Sequence, residues 1–291
     1  MSQPETNNKS GAELTAQRFV MLEDIAKELS GEVYFPTCFE TAEQLRRLMD
    51  DPDVSLEIVA AAVSLDPLVS AKLLNLANSA AFGTPNQPVR EVKSAIARLG
   101  LQRVRTTSMA IAMKQMLMSR DMAPFAEFTS RLWEHSLFSA SAAWVIARRM
   151  TRLNPDEALL AGMVHDLGAF YMLYRAVKYP ELVARPDTLR HLVIQWHESI
   201  GVSLLLNLGL PEDIAEACAE HDHLRPIPPV PRNLKDVVYV ANVTAGSGFE
   251  WMHQDIVVSE ADPATIRPAQ EYLDLQPEIA AQTSEMLAVF A

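Results

Sequence analysis

Apolar residues recur along the chain at the spacing of α-helices, and short polar segments separate one helical pattern from the next. From Leu14 to Leu29, apolar side chains return every three or four residues, which predicts an amphipathic helix. Asp66-Pro67 and Asn154-Pro155 each join a capping side chain to a proline that suits the first helical position, and therefore predict helix starts. No convincing run of strand-like alternation interrupts these patterns, so the sequence predicts an all-α fold.

Further helices follow the same rules through the rest of the chain. We predict them over residues 56–65, 67–77, 89–99, 101–117, 125–150, 158–164, 189–208, 212–221 and 234–246. Residues 158–164 are apolar all round, which indicates a helix buried at the centre of a bundle. The segment Ser119–Pro124 interrupts two helical patterns, and we therefore place a boundary between two helical lobes near residues 118–128.

Composition places the chain among globular proteins and narrows its partners. Hydrophobic residues make up 49% of the 291 residues and charged residues 21%, a balance with which a chain of this length can bury a sizeable core. The net charge is −12, and an acidic surface repels phosphate backbones, which argues against nucleic-acid binding. The N-terminus lacks the features of a signal peptide, and no apolar stretch reaches the roughly 18 residues of a membrane helix. We therefore expect a cytoplasmic protein outside the membrane, with Cys38 and Cys218 as reduced thiols.

Histidines and one aspartate lie where several helices would direct them to a common centre. They are His135 within a predicted helix, His165-Asp166 after the apolar segment, and His197 and His221 on the next two helices. Imidazole and carboxylate groups form the ligand set of divalent ions such as Zn, Mn, Fe and Mg, and helical bundles build such sites from inward-facing side chains. A histidine at the end of a buried helix also serves as a hydrogen-bonded core residue. The residues alone therefore leave a polar core and a metal site as alternatives.

Two stretches of the first half resemble the HDOD (HD-related output domain) family of bacterial signal-transduction proteins. They are Leu65-Asp66-Pro67 followed by the segment KLLNLANSA at 72–80, and the segment AIARLG at 95–100. The ordered histidines are similar to the pattern of the HD-superfamily metal phosphohydrolases, and Asn242 stands where those enzymes place the last ligating aspartate. The resemblance implies a degenerate metal site formed by His135, His165, Asp166, His197, His221 and Asn242.

The same resemblance implies a division of the chain into an N-terminal helical subdomain and an HD-like helical core. We predict a disordered N-terminus at residues 1–11, an N-terminal helix at 12–31 and the HDOD domain at 32–225. Within that domain, residues 32–122 form the N-terminal lobe and 123–225 the HD-like lobe. Residues 226–291 are expected to be a helical extension that completes the HD-like lobe.

The sequence departs from the hydrolases at positions that matter for catalysis. The amide of Asn242 is a poorer metal ligand than a carboxylate. Ala169 stands where the related HD-GYP phosphodiesterases usually have a catalytic lysine, and no Gly-Tyr-Pro follows His221. We therefore expect no catalytic residues and no required cofactor, although the pocket would suit a divalent ion (Fe, Mn, Zn or Mg).

These departures favour a regulator over a working enzyme. We predict a non-catalytic signal-transduction module that acts through contacts with signalling proteins. The alternative is a metal-dependent phosphohydrolase that acts on a nucleotide or a cyclic dinucleotide. The presence of the four histidines together with Asp166 supports this alternative.

Overall fold

The computed structural model describes residues 12–30, 39–79, 82–83, 87–223, 225–245 and 268–290. Within these ranges the chain is helical and contains no β-strand, which confirms the predicted all-α fold. No helix in the same ranges is both long and apolar enough to cross a bilayer. The disorder predicted for residues 1–11 lies outside the described residues, as does Cys38.

Five helices among the described residues form the N-terminal lobe around an aliphatic core. They are α2 (Glu40–Met49), α3 (Leu56–Ser64), α4 (Pro67–Ala77), α5 (Val92–Leu99) and α6 (Leu101–Leu117). The Asp66 carboxylate accepts hydrogen bonds from the backbone N–H groups of Leu68 and Val69 at 2.9 and 3.0 Å, so α4 has the predicted cap. Gly100 has a φ of +79°, which ends α5 and lets α6 begin at once.

In the described part of the chain, seven helices belong to the second lobe. They are α7 (Ala126–Met150), α8 (Pro155–Val164), α9 (Leu167–Ala176), α10 (Pro180–Val183), α11 (Pro186–Asn207), α12 (Glu212–Ala217) and α13 (Leu234–Thr244). A 3₁₀ turn, Arg120–Phe125, connects α6 to α7 where the two helical patterns break. Residues 158–164 of α8 are all buried, as their all-apolar sequence predicts, because α8 packs against α7, α6, α12 and α13.

Helices from the N-terminal and C-terminal parts of the chain pack against these lobes. In α1 (Ala12–Leu29), Met21 and Ile25 are buried, and the helix packs on α9, α10 and α11 of the second lobe. After the short helix α14 (Gln270–Leu273), α15 (Gln276–Phe290) packs along α7 and also contacts α4. The last helix therefore touches both lobes.

A partly buried ion pair joins the two lobes directly. The Nη2 atom of Arg103, on α6, lies 2.5 Å from Oδ1 of Asp156, at the start of α8. The indole N–H of Trp144 donates a hydrogen bond to the same oxygen at 3.2 Å, and the guanidinium lies over the Trp144 and Phe82 rings. Because the Arg103 side chain is only 5% exposed, its charge depends on Asp156 for compensation.

The helix boundaries differ from prediction in two places that shape the candidate site. The helix predicted over 212–221 ends at Ala217, and Glu220 then adopts a φ of 58°, in the left-handed region that a helix cannot continue through. The sequence patterns predict no helix between 164 and 189, where α9 forms. Nine of its ten residues are buried, so its sequence lacks the polar face that reveals an amphipathic helix.

Removing the Asp156 carboxylate is expected to destabilise the protein more than removing a matched aspartate elsewhere. Asp156→Ala leaves the Arg103 guanidinium buried without its partner, which costs about 3 kcal/mol in the free energy of unfolding. Asp187→Ala is the control. Asp187 likewise follows a proline that opens a helix, but it is 71% exposed and pairs with Arg190 at the surface, so the loss should stay below about 1 kcal/mol. Urea unfolding measures both, and equal losses would contradict the importance of the Arg103–Asp156 pair.

Candidate metal centre

Helices of the second lobe bring five of the predicted residues into one buried cluster. His135 lies on α7, His165 and Asp166 between α8 and α9, His197 on α11, and His221 in the turn after α12. None of the five exposes more than 7% of its surface. The four histidine Nε2 atoms lie 3.2 to 3.7 Å from the carboxylate oxygens of Asp166. The cluster is therefore built around one buried carboxylate.

The two oxygens of Asp166 divide the cluster into two halves. Oδ2 faces His135 and His165, whose Nε2 atoms are 3.2 Å apart. Oδ1 faces His197 and His221, whose Nε2 atoms are 3.3 Å apart. In each half the three candidate ligand atoms lie within 4.8 Å of one another, a spacing at which they could hold one ion. Asp166 belongs to both halves.

Backbone carbonyl groups fix the orientation of three of the four imidazole rings. The Nδ1 atoms of His165, His197 and His221 lie 2.8, 2.8 and 2.7 Å from the carbonyl oxygens of Gly162, Val193 and Cys218, respectively. A carbonyl oxygen only accepts hydrogen bonds, so each Nδ1 is the protonated atom and donates. In a neutral ring, Nε2 then carries the free lone pair that a metal ligand requires.

This tautomer makes the contact between His197 and His221 dependent on a cation. Two acceptor nitrogens 3.3 Å apart repel each other unless a proton or a metal ion lies between them. Other buried atoms of the cluster also make no hydrogen bond within the described residues, namely Nδ1 of His135 and Oδ2 of Asp222. Imidazole nitrogens together with carboxylate oxygens suit Zn, Mn or Fe, so the residues present fit a divalent ion.

Asp222 also lies in the cluster, although it is not among the ligands predicted from the sequence. Its Oδ2 is 3.3 Å from Nε2 of His197, and its Oδ1 is 3.8 Å from Nε2 of His221. Neighbouring residues of a helix face different directions. A helix predicted to continue to 221 therefore gave no reason to expect His221 and Asp222 at the same site. Because α12 ends early, both His221 and Asp222 turn inward. A usable signal was present, since the doublet His221-Asp222 repeats the doublet His165-Asp166.

Asn242 and Glu198 hold this turn from two sides. The Asn242 amide nitrogen, on α13, donates to the backbone carbonyl of His221 and to Oδ1 of Asp222, each at 3.0 Å. Oε1 of Glu198, on α11, accepts the backbone N–H of Asp222 at 2.9 Å. The structure thus places Asn242 against Asp222, and its own role as a ligand stays a prediction.

Burial and neighbouring charges shift the pKa values of the cluster in different directions. Burial lowers the pKa of His135 to about 4. Burial also acts to lower the pKa of His221, but the Asp222 and Asp166 carboxylates outweigh it and raise that pKa to about 10. For Asp166, burial acts to raise the pKa, yet contacts with histidines hold it well below its usual value. The carboxylates therefore favour positive charge at the centre of the cluster.

Close packing of α9 against α11 sets the approach of Asp166 to His197. A Cβ atom added to Gly168 would lie 2.0 Å from the carbonyl oxygen of His197 and 2.6 Å from the backbone nitrogen of Gly201. A Cβ added to Gly201 would come no closer than 3.3 Å to Gly168. The close approach therefore depends mainly on the missing side chain at Gly168.

Comparisons of sequence relate the chain to one domain family. The family model of the HDOD domain matches residues 35–224. An uncharacterized protein of Treponema pallidum (strain Nichols) is 26% identical over 215 residues, which cover 69% of this chain and 40% of that protein. The chain thus spans about two fifths of the length of this relative.

Solved structures share the same helical architecture. A candidate metal-dependent phosphohydrolase of Shewanella amazonensis SB2B has a TM-score of 0.65 and 25% identity, and the alignment covers 92% of this chain and 99% of that one. An HDOD domain protein with unknown function from Geobacter sulfurreducens has a TM-score of 0.58 and 20% identity, with 93% and 97% covered. A candidate signal transduction protein of Marinobacter aquaeolei VT8 has a TM-score of 0.55 and 17% identity, with 93% and 66% covered. The last two likenesses concern the fold alone.

A methyl group at position 168 is expected to disturb the candidate metal centre, whereas one at position 201 should not. Gly168→Ala forces α9 away from α11 and should cost about 3 kcal/mol in the free energy of unfolding, as overpacking of a rigid contact does. Gly201→Ala, on the opposite side of the same contact, needs a shift of only a few tenths of an ångström, and the smaller loss makes it the matched control. Chemical unfolding of both variants measures the difference. A larger loss for Gly201→Ala would contradict the packing described.

Proposed function

We propose that this chain, which belongs to the HDOD domain family, is a signalling module that holds a divalent metal in its second lobe and acts through contacts with other proteins. The metal is proposed to organise the lobe and not to turn over a substrate. The proposed partners are signalling proteins of the bacterial cytoplasm, and nucleic acid is not among them because the net charge is −12.

The single observation that supports the metal is the contact between His197 and His221. Both rings donate Nδ1–H to backbone carbonyls and turn their Nε2 atoms toward each other at 3.3 Å, so a proton or a metal ion is required between these two nitrogens. A divalent ion bound by these nitrogens and by Oδ1 of Asp166 would turn the repulsion into coordination. His135 and His165 would serve a second ion through Oδ2 of the same aspartate.

Asp222 would add a carboxylate to this set and offset the neutral amide of Asn242. Its Oδ2 is buried and lies 3.3 Å from Nε2 of His197, so an ion bound by that nitrogen would be within reach of this carboxylate. Glu198 and Asn242 would orient the turn that carries it, in the way that outer-shell partners of metal ligands do.

Several features argue against turnover at this centre. A bound ion would lower the pKa of a water molecule, but phosphoester cleavage also needs a cation to stabilise charge that develops on the phosphate. Ala169 is fully buried and apolar at the position of the hydrolase lysine. The next basic residue along α9, Arg175, forms an ion pair with Glu28 at 2.8 Å. Asp166, His197 and His221 each expose only 1% of their surface, which leaves little access for a phosphate.

A metal-dependent phosphohydrolase remains the second candidate function. It is favoured by the presence of all four histidines and Asp166 in one cluster. The similarity to the candidate metal-dependent phosphohydrolase of Shewanella amazonensis, at a TM-score of 0.65, points the same way. A nucleotide or a cyclic dinucleotide would be the substrate class.

Purified protein is expected to contain about one or two equivalents of Zn, Mn or Fe per chain, bound by the buried histidines and carboxylates. His165→Ala and Asp166→Asn should each lower the metal content strongly. Asp166 belongs to both halves of the cluster, and His165 belongs to one of them. His191→Ala, an exposed histidine on α11, is the control and should leave it unchanged. Elemental analysis after dialysis gives the content, and circular dichroism verifies folding. Equal metal in wild type and Asp166→Asn would refute the centre.

The metal-loaded protein is expected to hydrolyse neither cyclic di-GMP nor simple phosphoesters. Losing one electrostatic donor to a developing charge costs about 10²–10³ in rate, and the buried cluster lacks the lysine that related enzymes use. Product release should therefore equal the background given by His165→Ala in the presence of Mn, Fe or Mg. Turnover in the wild type that His165→Ala abolishes would make the chain an enzyme and favour the second candidate.

A further inference from the structure

A cleft of about 710 Å³ opens where α6, the 3₁₀ turn, α7 and α15 meet. None of the residues of the candidate metal centre lines it, so it is a separate feature of the molecule. Its volume lies within the range of about 300–1,000 Å³ that is typical of sites for small molecules.

The floor of the cleft is apolar and aromatic. The rings of Trp133 and Phe290 meet edge to face with centroids 5.5 Å apart, and both side chains are buried. At the rim, Met118 is 75% exposed and Leu287 is 40% exposed. Hydrocarbon surface thus continues from the floor to the solvent and would be covered by an apolar ligand.

The polar groups of the cleft have an excess of positive charge and of hydrogen-bond donors. Lys114 and Arg120 line it, and neither forms an ion pair within the described residues. Glu134 is the acidic residue among the lining side chains. The Ser119 hydroxyl is buried and makes no hydrogen bond in the described part of the chain. Desolvation and the nearby Lys72 lower the pKa of Lys114. A bound anion would act in the opposite direction, because it stabilises the charged ammonium group.

We propose that this cleft binds a small amphipathic anion. Its hydrocarbon chain or ring would lie on Trp133 and Phe290, and its carboxylate or phosphate oxygens would accept hydrogen bonds from Lys114 and the Ser119 hydroxyl. The aromatic floor favours a ligand with an apolar body, and the unpaired cations favour one with an anionic head group. Neither feature depends on metal in the histidine cluster.

Calorimetric titration with sodium decanoate, decyl phosphate and decanol tests this proposal. The wild type should bind both anions saturably, at one per chain and below the concentrations at which they form micelles. The tighter of the two identifies the head group. Lys114→Gln should weaken anion binding about tenfold, as expected for the loss of one hydrogen bond to a charged group, and leave decanol binding unchanged. Lys178→Gln, at an exposed lysine outside the cleft, is the matched control and should bind like the wild type.

A second variant blocks the cleft sterically and keeps the test decisive. Ala288 is exposed on α15 and lines the cleft, so Ala288→Phe should fold normally and abolish binding of all three ligands. Absence of saturable anion binding by the wild type would overturn the proposal, and so would unchanged binding by Ala288→Phe. Binding of an acidic amphipathic peptide without binding of decanoate or decyl phosphate would assign the cleft to a protein partner and equally overturn it. Metal content plays no part in these outcomes.

Discussion

The carboxylate of Asp166 is the constraint on which the second lobe depends. It is 1% exposed, and an ionised carboxylate at that depth is stable only when surrounding groups compensate its charge. Here four imidazoles from different parts of the sequence, from His135 to His221, surround the carboxylate, and a proton or a metal ion held among them would supply the compensating charge. The positions of α7, α8, α9 and α11 and of the turn after α12 are therefore all tied to one buried charge.

Each ring meets this constraint by means of its own local backbone. Three imidazoles use the carbonyl group three or four residues earlier in the chain as the acceptor for Nδ1–H, so the local backbone fixes the tautomer. What remains for tertiary packing is the distance between helices. Gly168 sets it between α9 and α11, where any side chain would meet the backbone of His197. The same local rule leaves each Nε2 facing inward, which is why the cluster needs a cation at its centre.

Features that neighbouring residues determine could be predicted from the sequence, whereas features that depend on distant contacts could not. The cap of α4 at Asp66 and the burial of α8 were predictable, because a capping side chain and an all-apolar segment act on their own neighbourhood. The grouping of the histidines was predictable as a pattern of order and type. The inward turn of Asp222 was not, because it follows from the left-handed Glu220 that ends α12 early. Helix α9 was missed for a different reason, since burial on all sides removes the periodicity that identifies a helix.

The candidate metal centre and the cleft share a single structural element, helix α7. Trp133 and His135 lie two residues apart on it and therefore face different directions, one toward Phe290 in the cleft and the other toward Asp166. Helix α6, which carries Lys114 at the cleft, also carries Arg103, whose guanidinium pairs with Asp156. A displacement of α7 that widened the cleft would thus move His135 relative to the three other imidazoles. If a ligand of the cleft alters metal affinity in this way, metal must alter the affinity for that ligand by the same factor, because coupling between two binding equilibria is reciprocal.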